Sequence, residues 1–85
     1  MKMKIRIDDR VYEGTGEAIM DQLRLSSFGP TEFPDARSYL EQLRANFIRA
    51  TGIDCPLPDG SVERQAEAVI RHLAKYGALE VIRDG

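Results

Sequence analysis

The chain opens MKMKIRI, in which Lys2, Lys4 and Arg6 alternate with Met3, Ile5 and Ile7. A period of two is that of a strand with one buried and one wet face. After the interruption DDR, the short β-prone stretch VYEG runs to Gly14, so Met1 to Glu13 reads as a hairpin with Met3, Ile5 and Ile7 toward a core. The turn lacks the glycine that favours two-residue loops. Placed at Asp8-Asp9 or at Asp9-Arg10, it sets Tyr12 inside with Ile5 and Ile7 and leaves Glu13 outside, opposite Lys4 or Arg6. A three-residue turn would bury the Glu13 carboxylate, which is costly.

Beyond GTG the apolar period lengthens to that of a helix. Ile19, Met20 and Leu23 share one face of a first helix from about Glu17 to Ser27, with Gly29-Pro30 as its stop, while Leu25 and Phe28 fall off that face. A second helix starts after Asp35 as N-cap and runs to Gly52. Its residues Ala36, Tyr39, Leu40, Leu43, Phe47 and Ala50 gather into an arc about 120° wide, with Ile48 outside it beside Glu41 and Arg44. The loop IDCPLPDG leads to Ser61, the N-cap of a third helix whose stripe is Val62, Ala66, Val69, Ile70, Leu73 and Tyr76, closed by Gly77. ALEVIR then reads as a closing strand with Leu79 and Val81 inward and Glu80 outward.

The expected architecture is α+β: one small domain over residues 1–85, in the order β-β-α-α-α-β. A lone hairpin is marginal in water, so the last strand returns to it. The result is a three-stranded, mostly antiparallel sheet with the three helices packed on one face. A domain this short buries only roughly 60 to 65% of the surface its unfolded chain exposes, which makes for a thin margin of stability.

Composition changes the picture by exclusion. With 42% hydrophobic and 31% charged residues the chain is an ordinary globular one. Twelve Lys and Arg against fourteen Asp and Glu leave a net charge of -2, so no global positive field draws in nucleic acid or an anionic membrane. The basic stripe is itself offset, because Glu13 and Glu80 share the outer face with Lys2, Lys4 and Arg6. One cysteine, Cys55, and one histidine, His72, exclude an intramolecular disulfide and a Cys/His zinc site, and a reducing, cytoplasmic setting fits. Neither a membrane-spanning apolar run nor a signal-peptide core is present in the sequence.

Few constellations carry chemistry. GTGEAI sits where glycine-rich phosphate loops occur, but it has neither the third glycine of a dinucleotide fingerprint nor the Gly-Lys-Ser/Thr of a Walker loop. It reads as an eased strand-to-helix turn, with Thr15 as cap. Cys55 and His72 are the one nucleophile-base pair that can be named, and their spacing sets His72 about three turns into the third helix, away from the thiol. Asp8 with Asp9 and Asp54 with Asp59 are turn residues at non-EF-hand spacing. Glu63, Glu67, Arg71 and Lys75, four apart, form a solvated ladder with acid before base. No cofactor or metal is expected.

The functional expectation is a small non-catalytic interaction or accessory domain, binding a protein partner or a second copy of itself. Its contact residues would be Leu25, Phe28 and Phe33 around the SSFGPTEFP loop, with Arg37, Glu41, Arg44 and Ile48 on the second helix, an apolar spot with a charged rim. The alternative comes from VIRHLAKYGALEVIRDG, where a helix runs through Gly into a short strand and an Asp-Gly turn. This tail resembles the end of a winged-helix DNA-binding domain. The resemblance implies a nucleic-acid-binding function, with the N-terminal hairpin standing in for a second wing strand. Against it, the connection before the third helix is long, and the would-be recognition helix begins with Glu63 and Glu67, which phosphates repel.

Overall fold

The computed structural model describes residues 2–26 and 35–84. Its elements follow the expected order: β1 (Lys2–Ile7), β2 (Arg10–Thr15), α1 (Gly16–Ser26), α2 (Ala36–Thr51), α3 (Val62–Lys75) and β3 (Glu80–Asp84). The three strands form one antiparallel sheet in the order β2-β1-β3, with β1 in the middle. The expected Gly29-Pro30 stop and the packing of Phe28 lie outside the described residues.

The hairpin adopts the first of the two expected turns. Ile7 pairs with Arg10, so Asp8 and Asp9 make the turn, and the register sets Ile5 opposite Tyr12 and Lys4 opposite Glu13. In place of glycine, Asp8 takes the left-handed conformation with φ 55°, which Asp tolerates better than most residues. β2 runs past the expected end at Glu13, to Thr15, and α1 follows without a loop.

On the outer face the cross-strand pairing differs in one partner. Arg6 meets Glu80 at 2.9 Å as the alternation requires, but the Glu13 carboxylate pairs with Arg83, on the far side of Lys4. The cause is a bulge in β3. The register slips at Ile82, between the pairs Ile5–Val81 and Lys4–Arg83. Strict alternation from Glu80 would turn Arg83 toward the helices; one inserted residue turns it out and brings Asp84 under the sheet. There Asp84 takes a two-pronged hydrogen bond from Arg71 of α3, at 2.8 Å from both Nε and Nη2. The Arg71 fork holds the Asp84 carboxyl below the usual carboxylate range.

The core lies between the inner face of the sheet and the helices. Met3, Ile5, Ile19, Met20, Leu40, Val69 and Ile70 are fully enclosed, with Leu23, Phe47, Leu73 and Leu79 nearly so. α1 packs along β2 and α3, and α3 reaches β3, whereas α2 rests on α1 and α3 with little contact to the sheet. The consequence is uneven burial. Eight residues whose spacing assigns them to the interior are not closed in: Ile7, Tyr12, Tyr39, Leu43, Val62 and Val81 are half-buried, Ala50 is exposed, and Tyr76 is 45% exposed. Ile48, which falls outside the α2 arc, instead packs half-buried against the core. The helix ends are as expected at Asp35, whose side chain accepts the Ser38 N–H at 2.8 Å, at Ser61, which accepts that of Arg64 at 3.2 Å, and at Gly52, which closes α2.

The outer-face register makes a direct test. Glu13→Lys removes the pair with Arg83 and puts a third cation in the row with Lys4 and Arg83. All are half-exposed, so the loss should be about 1 kcal/mol or less in urea unfolding, with an unchanged m-value.

Candidate functional site

The GTG segment is occupied by the protein's own groups. Thr15 Oγ1 accepts the Ala18 N–H at 3.1 Å, and the Glu63 carboxylate, from the first turn of α3, accepts the Glu17 N–H at 2.8 Å. The free amides and positive end of a helix N-terminus attract anions. Here an internal carboxylate already fills that position. Gly16 is buried because α3 lies directly on it: a Cβ there would stand 2.9 Å from Glu67 Cγ and from the Glu67 amide nitrogen, and 3.1 Å from the Glu63 carbonyl. Burial pushes the Glu63 carboxyl up, but the Glu17 amide and a hydrogen bond with Glu67 pull harder the other way, and its pKa lies below the usual value. Glu63 and Glu67 therefore belong to a helix-helix contact as well as to a solvated ladder.

His72 lies closer to the Cys55 loop than its spacing suggests. Its Nε2 bonds the carbonyl of Asp54 at 2.7 Å, and Arg44 Nε donates to the carbonyl of Cys55. Gln65, buried within α3, donates to the carbonyl of Pro58 at 2.9 Å and accepts from Arg37 at 3.3 Å. Three side chains thus hold three carbonyls of the IDCPLPDG loop, which satisfies backbone acceptors that burial would otherwise strand. The Cys55 thiol is enclosed and burial pushes its pKa up, which keeps it protonated and unreactive. Asp54 accepts the adjacent Cys55 N–H at 2.9 Å, a local turn bond. Among the described residues no three His, Cys, Asp or Glu side chains converge as metal ligands. Nor does any described helix have the length and apolarity to cross a membrane.

Of the contact residues expected from sequence, five lie among the described residues. Leu25 is 60% exposed on α1. Arg37, itself exposed, donates to the Gln65 side chain of α3, Arg44 donates to the Cys55 carbonyl of the α2–α3 loop, Ile48 packs half-buried against the core, and Glu41 is exposed. Phe28 and Phe33 lie outside the described residues.

An opening that sequence reasoning missed lies at the other side of α2. A cleft of about 270 Å³ runs between its C-terminal half (Leu43, Asn46, Phe47, Ala50 and Thr51), the end of β1 at Ile7, Leu73 of α3, and Ala78-Leu79 on the way to β3. The walls are almost wholly apolar. The polar atoms of Asn46 and Thr51 are engaged locally: Asn46 accepts from Gln42 at 2.9 Å, and the Thr51 hydroxyl donates to the Phe47 carbonyl at 2.7 Å. At the rim stands Tyr76, its ring 6.1 Å from that of Phe47 and 5.0 Å from His72, with Lys75 Nζ 5.6 Å from its centre. A signal for this site was present in the pattern: Ile7, Leu43 and Ala50 carry interior spacing and line the cleft, and Tyr76, with the same spacing, touches its wall at Phe47. Comparison with known protein families, with curated proteins and with solved structures finds no match.

Two outcomes test the junction at Gly16. Gly16→Ala should cost about 2 kcal/mol or more in chemical unfolding despite alanine's better helix propensity, because α3 backbone must move. Gly52→Ala, at φ 71° with open space around it, should cost only about 1 kcal/mol, from the left-handed backbone alone. Glu63 adds a pH dependence. Its folded pKa is depressed below 4.5, so its stabilisation is complete above that value and is lost as pH falls through the lower folded value. Glu63→Gln should therefore lower stability at pH 7 and make the acid limb of a stability-pH curve shallower.

Proposed function

We propose that this chain is a small non-catalytic interaction or accessory domain of the reducing cytoplasm, and that the cleft beside Tyr76 receives an apolar side chain of a protein partner. One observation carries the proposal: residues patterned for burial are left open around a preformed apolar cleft. Surface apolar residues scattered singly need no explanation, whereas a concave cluster of them does. The aromatic at its rim adds to this, since rigid aromatic anchors are enriched where proteins bind one another. The chemistry of the remaining groups points the same way. The thiol is buried, His72 is tied to a carbonyl, and the N-terminus of α1, where an anion would bind, is taken by the Glu63 carboxylate.

The nucleic-acid alternative draws less support from the same coordinates. The start of α3, which would head a recognition helix, is packed on Gly16 and carries Glu63 and Glu67. On the outer sheet face Arg6 and Arg83 are paired with Glu80 and Glu13, and Lys2 and Lys4 remain as the cations there without an ion pair among the described residues.

A photo-crosslinking residue in place of exposed Asn46, on the cleft wall, tests the proposal in living cells. A defined protein adduct is expected from that position, absent when the crosslinker replaces exposed Glu17 of α1, outside the cleft, and abolished by Ala50→Glu. Equal labelling from both positions, or no adduct at either, would overturn the docking role. Salt-sensitive binding of duplex DNA by the purified chain would favour the alternative instead.

A further inference from the structure

From the geometry around this cleft we infer that its occupant is Tyr76 of a second copy of the chain, so that the domain pairs with itself through a two-fold contact. The inference rests on the docking reading above and names the partner.

A two-fold interface is self-complementary: whatever projects from a patch must find its receptor on the same patch. Here a projection and a receptor lie side by side. Tyr76 stands at the end of α3, and the chain passes through Gly77 directly into Ala78 and Leu79, which form one cleft wall. Phe47 belongs to both, lining the cleft and touching the Tyr76 ring. Turning one copy about an axis between projection and cleft lays each Tyr76 over the other's opening.

The projection is held in place. Phe47 and His72 flank the ring at 6.1 and 5.0 Å, so little rotamer freedom remains to be lost on docking. Its hydroxyl has no hydrogen-bond partner among the described residues, and it remains able to reach water or polar groups at the far rim.

Charge is arranged in the same sense. Lys75, next to the projecting ring, makes no ion pair within the described chain. Asp8 and Asp9, which follow the lining residue Ile7 in the chain, make none either among the described residues. Arg10 lies in the same turn, and the turn keeps a net charge of one negative unit. When Tyr76 of one copy enters the cleft of the other, Lys75 approaches the partner's Asp8-Asp9 turn. The symmetry makes that contact twice, and it orients the pair.

Sedimentation equilibrium of the full chain, from micromolar to millimolar concentration, tests this. A monomer-dimer equilibrium is expected. Tyr76→Ala should raise its dissociation constant roughly tenfold or more, while Tyr76→Phe leaves it nearly unchanged. Lys75→Glu should weaken pairing, and Lys75→Glu with Asp9→Lys in the same chain should recover it. Circular dichroism guards against misfolding, to which an exposed position like 76 is not prone. A monomer at every concentration, or a dimer indifferent to Tyr76→Ala, would overturn self-pairing. If the Asn46 crosslink then still captures one different protein, the docking role survives and only the identity of the occupant falls.

Discussion

The contact on which the rest of this fold depends is the crossing of α1 and α3 at Gly16. Only hydrogen fits between the start of α1 and the backbone of Glu63 and Glu67. That closeness brings the Glu63 carboxylate onto the Glu17 amide, so one helix caps another 46 residues away in sequence. The two helices become a unit that spans the sheet, α1 over β2 and α3 over β3. α2 is then left to ride on that unit rather than on the strands, and its C-terminal half overhangs the hairpin end of the sheet. The apolar cleft is what remains beneath the overhang.

A second constraint works from the opposite side of the sheet. The bulge at Ile82 turns Arg83 out to Glu13 and Asp84 in to Arg71. An even alternation would give the inner face a guanidinium and the outer face a carboxylate at these positions. The inserted residue also bends one edge of a small open sheet, a feature that discourages edge-to-edge pairing with other chains. The other edge, along β2, is partly closed by Gln22 of α1, whose amide donates to the Glu13 carbonyl at 3.0 Å. Growth of the sheet from either edge is therefore disfavoured.

Most of the fold was legible because its signals are local. Alternation in MKMKIRI, the caps at Asp35 and Ser61, and the glycines after α2 and α3 each act within a few residues, so element order and the buried face of β1 follow from the chain itself, while the hairpin turn stays open between Asp8-Asp9 and Asp9-Arg10. What stayed hidden is what depends on separation in sequence. Nothing in GTGEAI says that its second glycine meets α3, because the cause is a neighbour that only the fold supplies. The same holds for the bulge, which shifts one ladder against another without a Gly or Pro to mark it. The helical spacing of Arg37 and Arg44 sets them on a surface rim but does not say what they bond: Arg44 reaches the Cys55 carbonyl of the loop, and Arg37 the Gln65 side chain of α3. The cleft, conversely, was encoded in residues assigned to the core, and periodicity distinguishes inward from outward but not enclosed from open.

That last distinction bears on why the opening persists. Closing α2 onto the sheet would bury Ile7, Leu43 and Ala50 and gain transfer free energy at about 25 cal/mol per Å². It would also require α2 to pivot away from the loop and from α3, to which it is tied by Arg44 at the Cys55 carbonyl and by Arg37 at the Gln65 side chain. Breaking those bonds strands partly buried acceptors at about 1 to 3 kcal/mol each. These bonds oppose the closure. A domain with little interior to spare keeps an apolar hollow open only where closing it would undo polar satisfaction elsewhere. Apolar surface held open in this way gains most from an occupant that arrives from outside, since it brings burial without moving α2 at all.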